Sequence, residues 1–171
     1  VRQLEQAGIE MLHVDILDGH FSPSMPLGLD TVRQLRAKTD LLFDCHVMVT
    51  AQDYFVDELL DIGVQQLVFH GEMEPHLDHR LNQIRKAGVR AGVALKPGTP
   101  LQSLEYVLEK CDAVLVETDV WDLTKTALEC VRAGKHVHID KPASGTLAEY
   151  KQLLDEAEKR TYVIILGEGA S

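Results

Sequence analysis

The sequence predicts a parallel α/β fold, either a (β/α) barrel or an open doubly wound sheet. Three observations predict it. Short apolar runs alternate with stretches of helical period along the chain. The helical stretches have readable ends, with Gly63, Gly88 and Gly134 following them. Imidazole or carboxylate groups recur at the C-terminal ends of three consecutive apolar runs, where both architectures place their chemistry.

Seven strands are expected in order: LHVDIL from Leu12, LLFDCHVMV from Leu41, QLVFHG from Gln66, RAGVAL from Arg90, AVLVE from Ala113, HVHID from His136 and TYVIILG from Thr161. Right-handed crossovers would join them in parallel. Between the fourth and fifth, Thr99, Pro100 and Gln102 read as a capping box with proline at the first helical position. Leu101, Leu104, Val107, Leu108 and Cys111 would share a face of that helix. Before the seventh strand, Thr146 and Glu149 read as a second box. Leu147, Tyr150, Leu153, Leu154 and Ala157 line that helix, and Asp155 and Lys159 make a supporting pair four apart.

Composition bounds the function. The chain has 171 residues, 45% of them hydrophobic, enough for a sizeable core in one domain. A net charge of −10 without a basic run argues against nucleic acid or an anionic membrane surface as partner. No apolar run approaches the roughly 20 residues of a membrane helix, and the N-terminus does not read as a signal peptide. Cys45, Cys111 and Cys130 are odd in number and lack close pairing, which fits free thiols in a reducing cytoplasm. The opening VRQLEQAG reads as mid-helix, so upstream sequence is expected. The length is short for a barrel, which takes about 250 residues.

His13 and Asp15 stand two apart on the first strand, so their side chains leave one face. The second strand ends in His46 and Met48, and His70 and Glu72 lie at the tip of the third. An HxD pair beside a histidine on the next strand points to a metal or catalytic site. Asp18 and Asp44 are expected in caps or turns, and His20, His76 and His79 on solvated positions.

LHVDILDGHFSPSMPLG, FDCHVMV, LVFHGE and AGVALKPGTPLQSLEYVLEKCDAVLV together resemble the ribulose-phosphate 3-epimerases, over residues 5–116. The resemblance implies an incomplete TIM barrel. It also implies a divalent cation (zinc, iron, manganese or cobalt) held by two histidines and two aspartates. His13, Asp15 and His46 match three of those ligands, and Asp15 one of two catalytic acid/bases. Met48 matches a methionine walling the reaction space, and His70 is taken as a second substrate contact. The substrate would be ribulose 5-phosphate, interconverted with xylulose 5-phosphate at C3.

Three family elements have no counterpart: a first SILSAD-like strand, an NPGFGGQ-type phosphate loop, and the strand carrying the second catalytic aspartate. That predicts impaired phosphate binding. The segment from residue 118 onward instead resembles the nucleotide-binding domain of the Gfo/Idh/MocA oxidoreductases, through AGKHVHIDKPAS with Lys141, yet no GxGxxG fingerprint is present. The organisation expected is one α/β domain joining an epimerase-like part, 1–117, to an oxidoreductase-like βαβ part, 118–171. His136, His138 and Asp140 would share a strand face, so that Asp140 is either the candidate fourth ligand and second acid or, with Lys141, merely pairs or caps the next turn. The alternatives are a fragment of a nicotinamide-dependent sugar oxidoreductase and a non-catalytic chimera. An open strand edge would invite self-association.

Overall fold

The computed structural model describes residues 1–25, 27–96, 98–117, 122–139, 145–160 and 164–166. The chain forms two compact units, Val1–Ala91 and Gly92–Ser171. Every expected strand is present, and each pairing within a unit is parallel.

The first unit opens with a short helix, α1 (Arg2–Gln6), followed by β1 (Met11–Leu17) and α2 (Leu29–Arg36). Next come β2 (Leu42–Met48), α3 (Gln52–Ile62), β3 (Gln66–His70) and α4 (Leu77–Lys86). The strand order is β1-β2-β3. Alternation along the strands separates two faces. Val14 and Ile16 of β1, and Phe43, Cys45 and Val47 of β2, lie on one face and are buried. Leu67 and Phe69 continue it on β3, and Val32, Val56, Leu59, Leu81 and Ile84 are the buried apolar residues of the helices. Gly63 ends α3 at φ +83° and Gly88 follows α4 at φ +79°, a region that glycine enters without steric cost.

The opposite face carries His13 and Asp15 on β1, Asp44, His46 and Met48 on β2, and Gln66, Val68 and His70 on β3. This face of a parallel sheet is polar through its middle, which burial alone does not favour.

The second unit contains β4 (Arg90–Leu95, starting two residues earlier), β5 (Ala113–Val116), α5 (Leu123–Arg132), β6 (His136–Ile139), α6 (Leu147–Arg160) and β7 (Ile164–Leu166). Its order is β4-β5-β6-β7. Leu123, Ala127, Cys130 and Val131 of α5 are buried, and so are Leu153 and Ala157 of α6.

Two local expectations are corrected here. The segment after Pro100 makes two 3₁₀ turns, Leu101–Leu104 and Leu108–Lys110, rather than an α-helix, and no side chain caps it. Its backbone bonds run from residue i to i−3, as in Val107 N–H to Leu104 C=O at 2.9 Å. Leu101, Leu104 and Val107 recur every third residue, a spacing that three residues per turn serves directly. On α6, Lys159 meets Glu156 at 3.5 Å instead of Asp155, because positions three and four apart are equally in reach. The second capping box does form. Thr146 N–H donates to Glu149 Oε2 at 2.7 Å, and Glu149 N–H donates back to Thr146 Oγ1 at 3.2 Å.

Leu59 is fully buried, whereas Leu154 is 43% exposed. Leu59→Ala is expected to cost about 3 kcal/mol of unfolding free energy and Leu154→Ala less than about 0.5 kcal/mol, read from urea unfolding of the two variants.

Candidate metal centre

Parallel register assembles the site. His13 is the pairing partner of Asp44, and Asp15 that of His46. Across the next ladder Asp44 pairs with Gln66 and His46 with Val68. Two rows therefore cross the polar face, Gln66–Asp44–His13 and Val68–His46–Asp15.

In these rows two imidazoles converge on one carboxylate oxygen. His13 Nε2 and His46 Nδ1 each lie 3.2 Å from Asp15 Oδ1. All three groups offer a donor atom within 4.8 Å of the others, a set able to hold a metal ion. His46 is almost fully buried, His13 is 30% exposed and Asp15 is 49% exposed, so the cluster opens to solvent on the Asp15 side. Mixed imidazole and carboxylate ligation suits zinc, iron, manganese or cobalt.

Asp44 backs the cluster. Its side chain is 1% exposed, and Oδ2 accepts from His13 Nδ1 at 2.8 Å. Gln66 Nε2 donates to Asp44 Oδ1 at 2.8 Å. In metal-free protein both ring nitrogens carry protons, Nε2 donating to Asp15. With a cation present, the proton on Nδ1 would stay in its bond to Asp44 and leave Nε2 able to ligate, the arrangement in which a carboxylate orients a metal-binding histidine. This corrects the expectation of a cap or turn at Asp44. The signal was available in the sequence: Asp44 is two residues before His46, and so on the same strand face.

Asp18, by contrast, is a turn residue as expected, and it also ties two loops together. Oδ1 accepts from the backbone N–H groups of His20 and Phe21, both at 2.8 Å. Oδ2 accepts from Thr50 N–H and Oγ1, both at 2.7 Å. Burial opposes its charge, but these donors hold the carboxyl well below the usual range.

Phe21, positioned by that turn, packs on His70 with ring centroids 4.6 Å apart. His70 is fully buried, and its Nε2 lies 3.0 Å from His46 Nε2. It thus sits behind His46 rather than at an open surface. Met48 is partly exposed at the end of β2, on the His46 face. His20, His76 and His79 are exposed, as expected. Asp140 and Lys141 lie outside the described residues.

The electrostatics follow from the geometry. Burial disfavours a charged His13, but hydrogen bonds to Asp15 and Asp44 and their negative charge outweigh it, raising its pKa from 6.5 to about 9. Hydrogen bonds from His13 and His46 hold the Asp15 carboxyl far below the carboxylate range, against the opposing effect of burial. A proton on His13 occupies the place where a cation would exert the same pull.

Residues 1–120 match the model of the Ribulose-phosphate 3 epimerase family. The chain belongs to the ribulose-phosphate 3-epimerase family. Among the family's curated members, the Ribulose-phosphate 3-epimerase of Rhodobacter capsulatus is 36% identical over 118 residues, covering 69% of this chain and 52% of that protein. The epimerase of Bacillus subtilis is 31% identical over 175 residues, covering all of this chain and 74% of that protein. The chloroplastic enzyme of Arabidopsis thaliana is 40% identical, covering 68% of this chain and 42% of that protein. The chain therefore spans about half the length of the Rhodobacter relative. The Bacillus alignment continues past Val116, where the quoted epimerase motifs stop. Residues 73–168 also match the oxidoreductase family with an NAD-binding Rossmann fold. The tryptophan synthase A-subunit of Pyrococcus furiosus shares the fold, with a TM-score of 0.54 and 16% identity over 81% of this chain and 61% of that one.

Two pH effects are expected in metal-free protein. Because His13 is raised to about 9, its stabilising contribution is complete below about pH 6.5 and is lost as pH climbs through 9. Urea unfolding with a chelator should show a loss on the order of 1–2 kcal/mol between those limits, after allowing for partial exposure, and His13→Gln should flatten it. Asp15 works in the opposite sense, its contribution present above about pH 4 and lost on acidification.

Proposed function

We propose that this chain is an epimerase of ribulose-phosphate type, interconverting D-ribulose 5-phosphate and D-xylulose 5-phosphate by proton transfer at C3. The convergence of His13 Nε2 and His46 Nδ1 on a single Asp15 oxygen carries the reading. That geometry is a ready frame for a divalent cation, with His13, Asp15 and His46 as the residues that would hold it. Such an ion supplies Lewis-acid stabilisation of the negative charge that develops on the substrate oxygens.

The residues' own tasks follow from the reaction. The C3 proton is acidic because it is adjacent to the ketone, and its removal leaves an enediolate. Asp15 is ionised throughout the neutral range and is the most open member of the cluster, so it is the base able to reach a substrate proton. Asp44 keeps His13 from rotating, and His46 is fixed within the sheet. Met48 presents an apolar thioether wall that excludes water without offering a competing hydrogen bond. Inversion needs a second acid on the far face of the substrate, and the sequence candidate is Asp140. The same reading makes the substrate a small sugar phosphate in the cytoplasm. Among the described residues no helix is long and apolar enough to cross a membrane.

The match of residues 73–168 to an NAD-binding family supports a second reading, that this part is a remnant of a nicotinamide-dependent oxidoreductase. One experiment separates the two. Purified protein is given manganese, zinc, cobalt or ferrous iron with ribulose 5-phosphate, and xylulose 5-phosphate is measured by a coupled assay. Turnover is expected with at least one ion, with Asp15→Asn slower by roughly 10²–10⁴-fold. No product with any ion overturns the epimerase reading, and quenching or enhancement of nicotinamide fluorescence would then favour the oxidoreductase one.

A further inference from the structure

We propose that His70 is a positioning residue for the metal centre, acting through His46 rather than on the substrate; the proposal rests on the metal reading above. The observation is the Nε2-to-Nε2 contact of 3.0 Å between two buried imidazoles. Two ring nitrogens at that distance make a hydrogen bond only when one carries a proton and the other does not.

The protons on this pair are then assigned by the chemistry at either end. His46 Nδ1 faces Asp15 at 3.2 Å and must present a lone pair if it is to hold a cation. A neutral imidazole with a bare Nδ1 carries its hydrogen on Nε2. That hydrogen donates to His70 Nε2, which must be bare, so His70 carries its own hydrogen on Nδ1. The carboxylate of Glu72 stands on that side, with Oε2 3.6 Å from His70 Nδ1, an electrostatic contact longer than a hydrogen bond. The direction of the whole chain, from Glu72 through His70 to His46, is consistent with one tautomer at each ring. It does for His46 what Asp44 does for His13.

The packing holds this chain in place. His70 is fully buried, its ring lies 5.0 Å from that of His46, and Phe21 covers it at 4.6 Å. Phe21 is in turn held by its backbone N–H on Asp18, which also binds Thr50. With an ion at the cluster, the His70 tautomer that matches this placement is the one that leaves His46 Nδ1 able to ligate, whereas in metal-free protein the same nitrogen donates to Asp15 Oδ1.

The test compares cobalt binding by the full chain, followed by visible absorption, in wild type, His70→Phe and His70→Gln. Phenylalanine keeps the aromatic packing against Phe21 but cannot accept a hydrogen bond. Glutamine loses that packing but places an oxygen acceptor near the position of Nε2. A positioning role predicts a cobalt dissociation constant raised roughly 10–100-fold in His70→Phe and largely restored in His70→Gln. A purely packing role predicts the reverse order, and that result, or equal binding by all three, overturns the proposal. Should a variant fail to fold, ¹⁵N-resolved imidazole spectra of zinc-loaded wild type decide the matter. A proton on His46 Nε2 supports the proposal, and a proton on His46 Nδ1 overturns it. Wild type that binds neither cobalt nor zinc overturns the metal reading and this inference together, whereas metal-binding wild type with an insensitive His70→Phe overturns this inference alone.

Discussion

The site depends on one constraint, the register between β1 and β2. It sets Asp15 opposite His46 and His13 opposite Asp44, and the contacts among these four side chains follow from those two pairings. A slip of one residue would turn His46 and Asp44 toward the helices and bring Cys45 to the polar face. Register is held by the apolar side of the same strands, where Ile16, Phe43, Cys45 and Val47 are fully buried. The core and the chemistry are thus alternate residues of one pair of strands.

A polar row inside a sheet is costly unless each group is satisfied. Here the groups satisfy one another. Asp44, almost completely buried, takes one hydrogen bond from His13 and one from Gln66. His46 lies between Asp15 and His70. The arrangement concentrates negative charge behind and beside His13, which is why that imidazole holds its proton to about pH 9. The same charge would favour a divalent ion at the convergence point, where it would compete with the proton for one position. Rigid partners for both histidines would reduce the reorganisation that binding an ion requires.

The double family match has a physical side. A βα unit contributes a strand, a helix and a C-terminal loop, and its core rules are the same whichever enzyme uses it. The second unit obeys those rules, with parallel pairing from β4 to β7, the apolar face of α5 buried, and Leu153 and Ala157 of α6 buried while Leu147 and Leu154 are exposed. Residues 73–120, common to both matches, carry α4, β4, β5 and the turns between the two strands, elements whose sequence is dictated largely by burial. Function is instead written in the polar residues at the strand ends, and those of the first unit carry the epimerase pattern.

Much of this was legible in the sequence, because it rests on short-range periodicity. The seven strands, the glycine helix ends, the Thr146–Glu149 box and the His13–Asp15 pair all follow from spacings of two, three or four residues, while His46 was added by its place at the end of the next strand and by the epimerase resemblance. Where the structure departs from local expectation, two arrangements satisfy the same residues. The segment after Pro100 could satisfy its apolar residues as 3₁₀ turns, and Lys159 could reach Glu156 as readily as Asp155. Only the tertiary structure decided what stands across a ladder from what. Asp44 as the partner of His13, His70 behind His46, and Asp18 tying Phe21 to Thr50 join residues 24 to 32 positions apart. No local pattern encodes such pairs, since they exist only once the register of neighbouring strands has been set by burying their apolar sides.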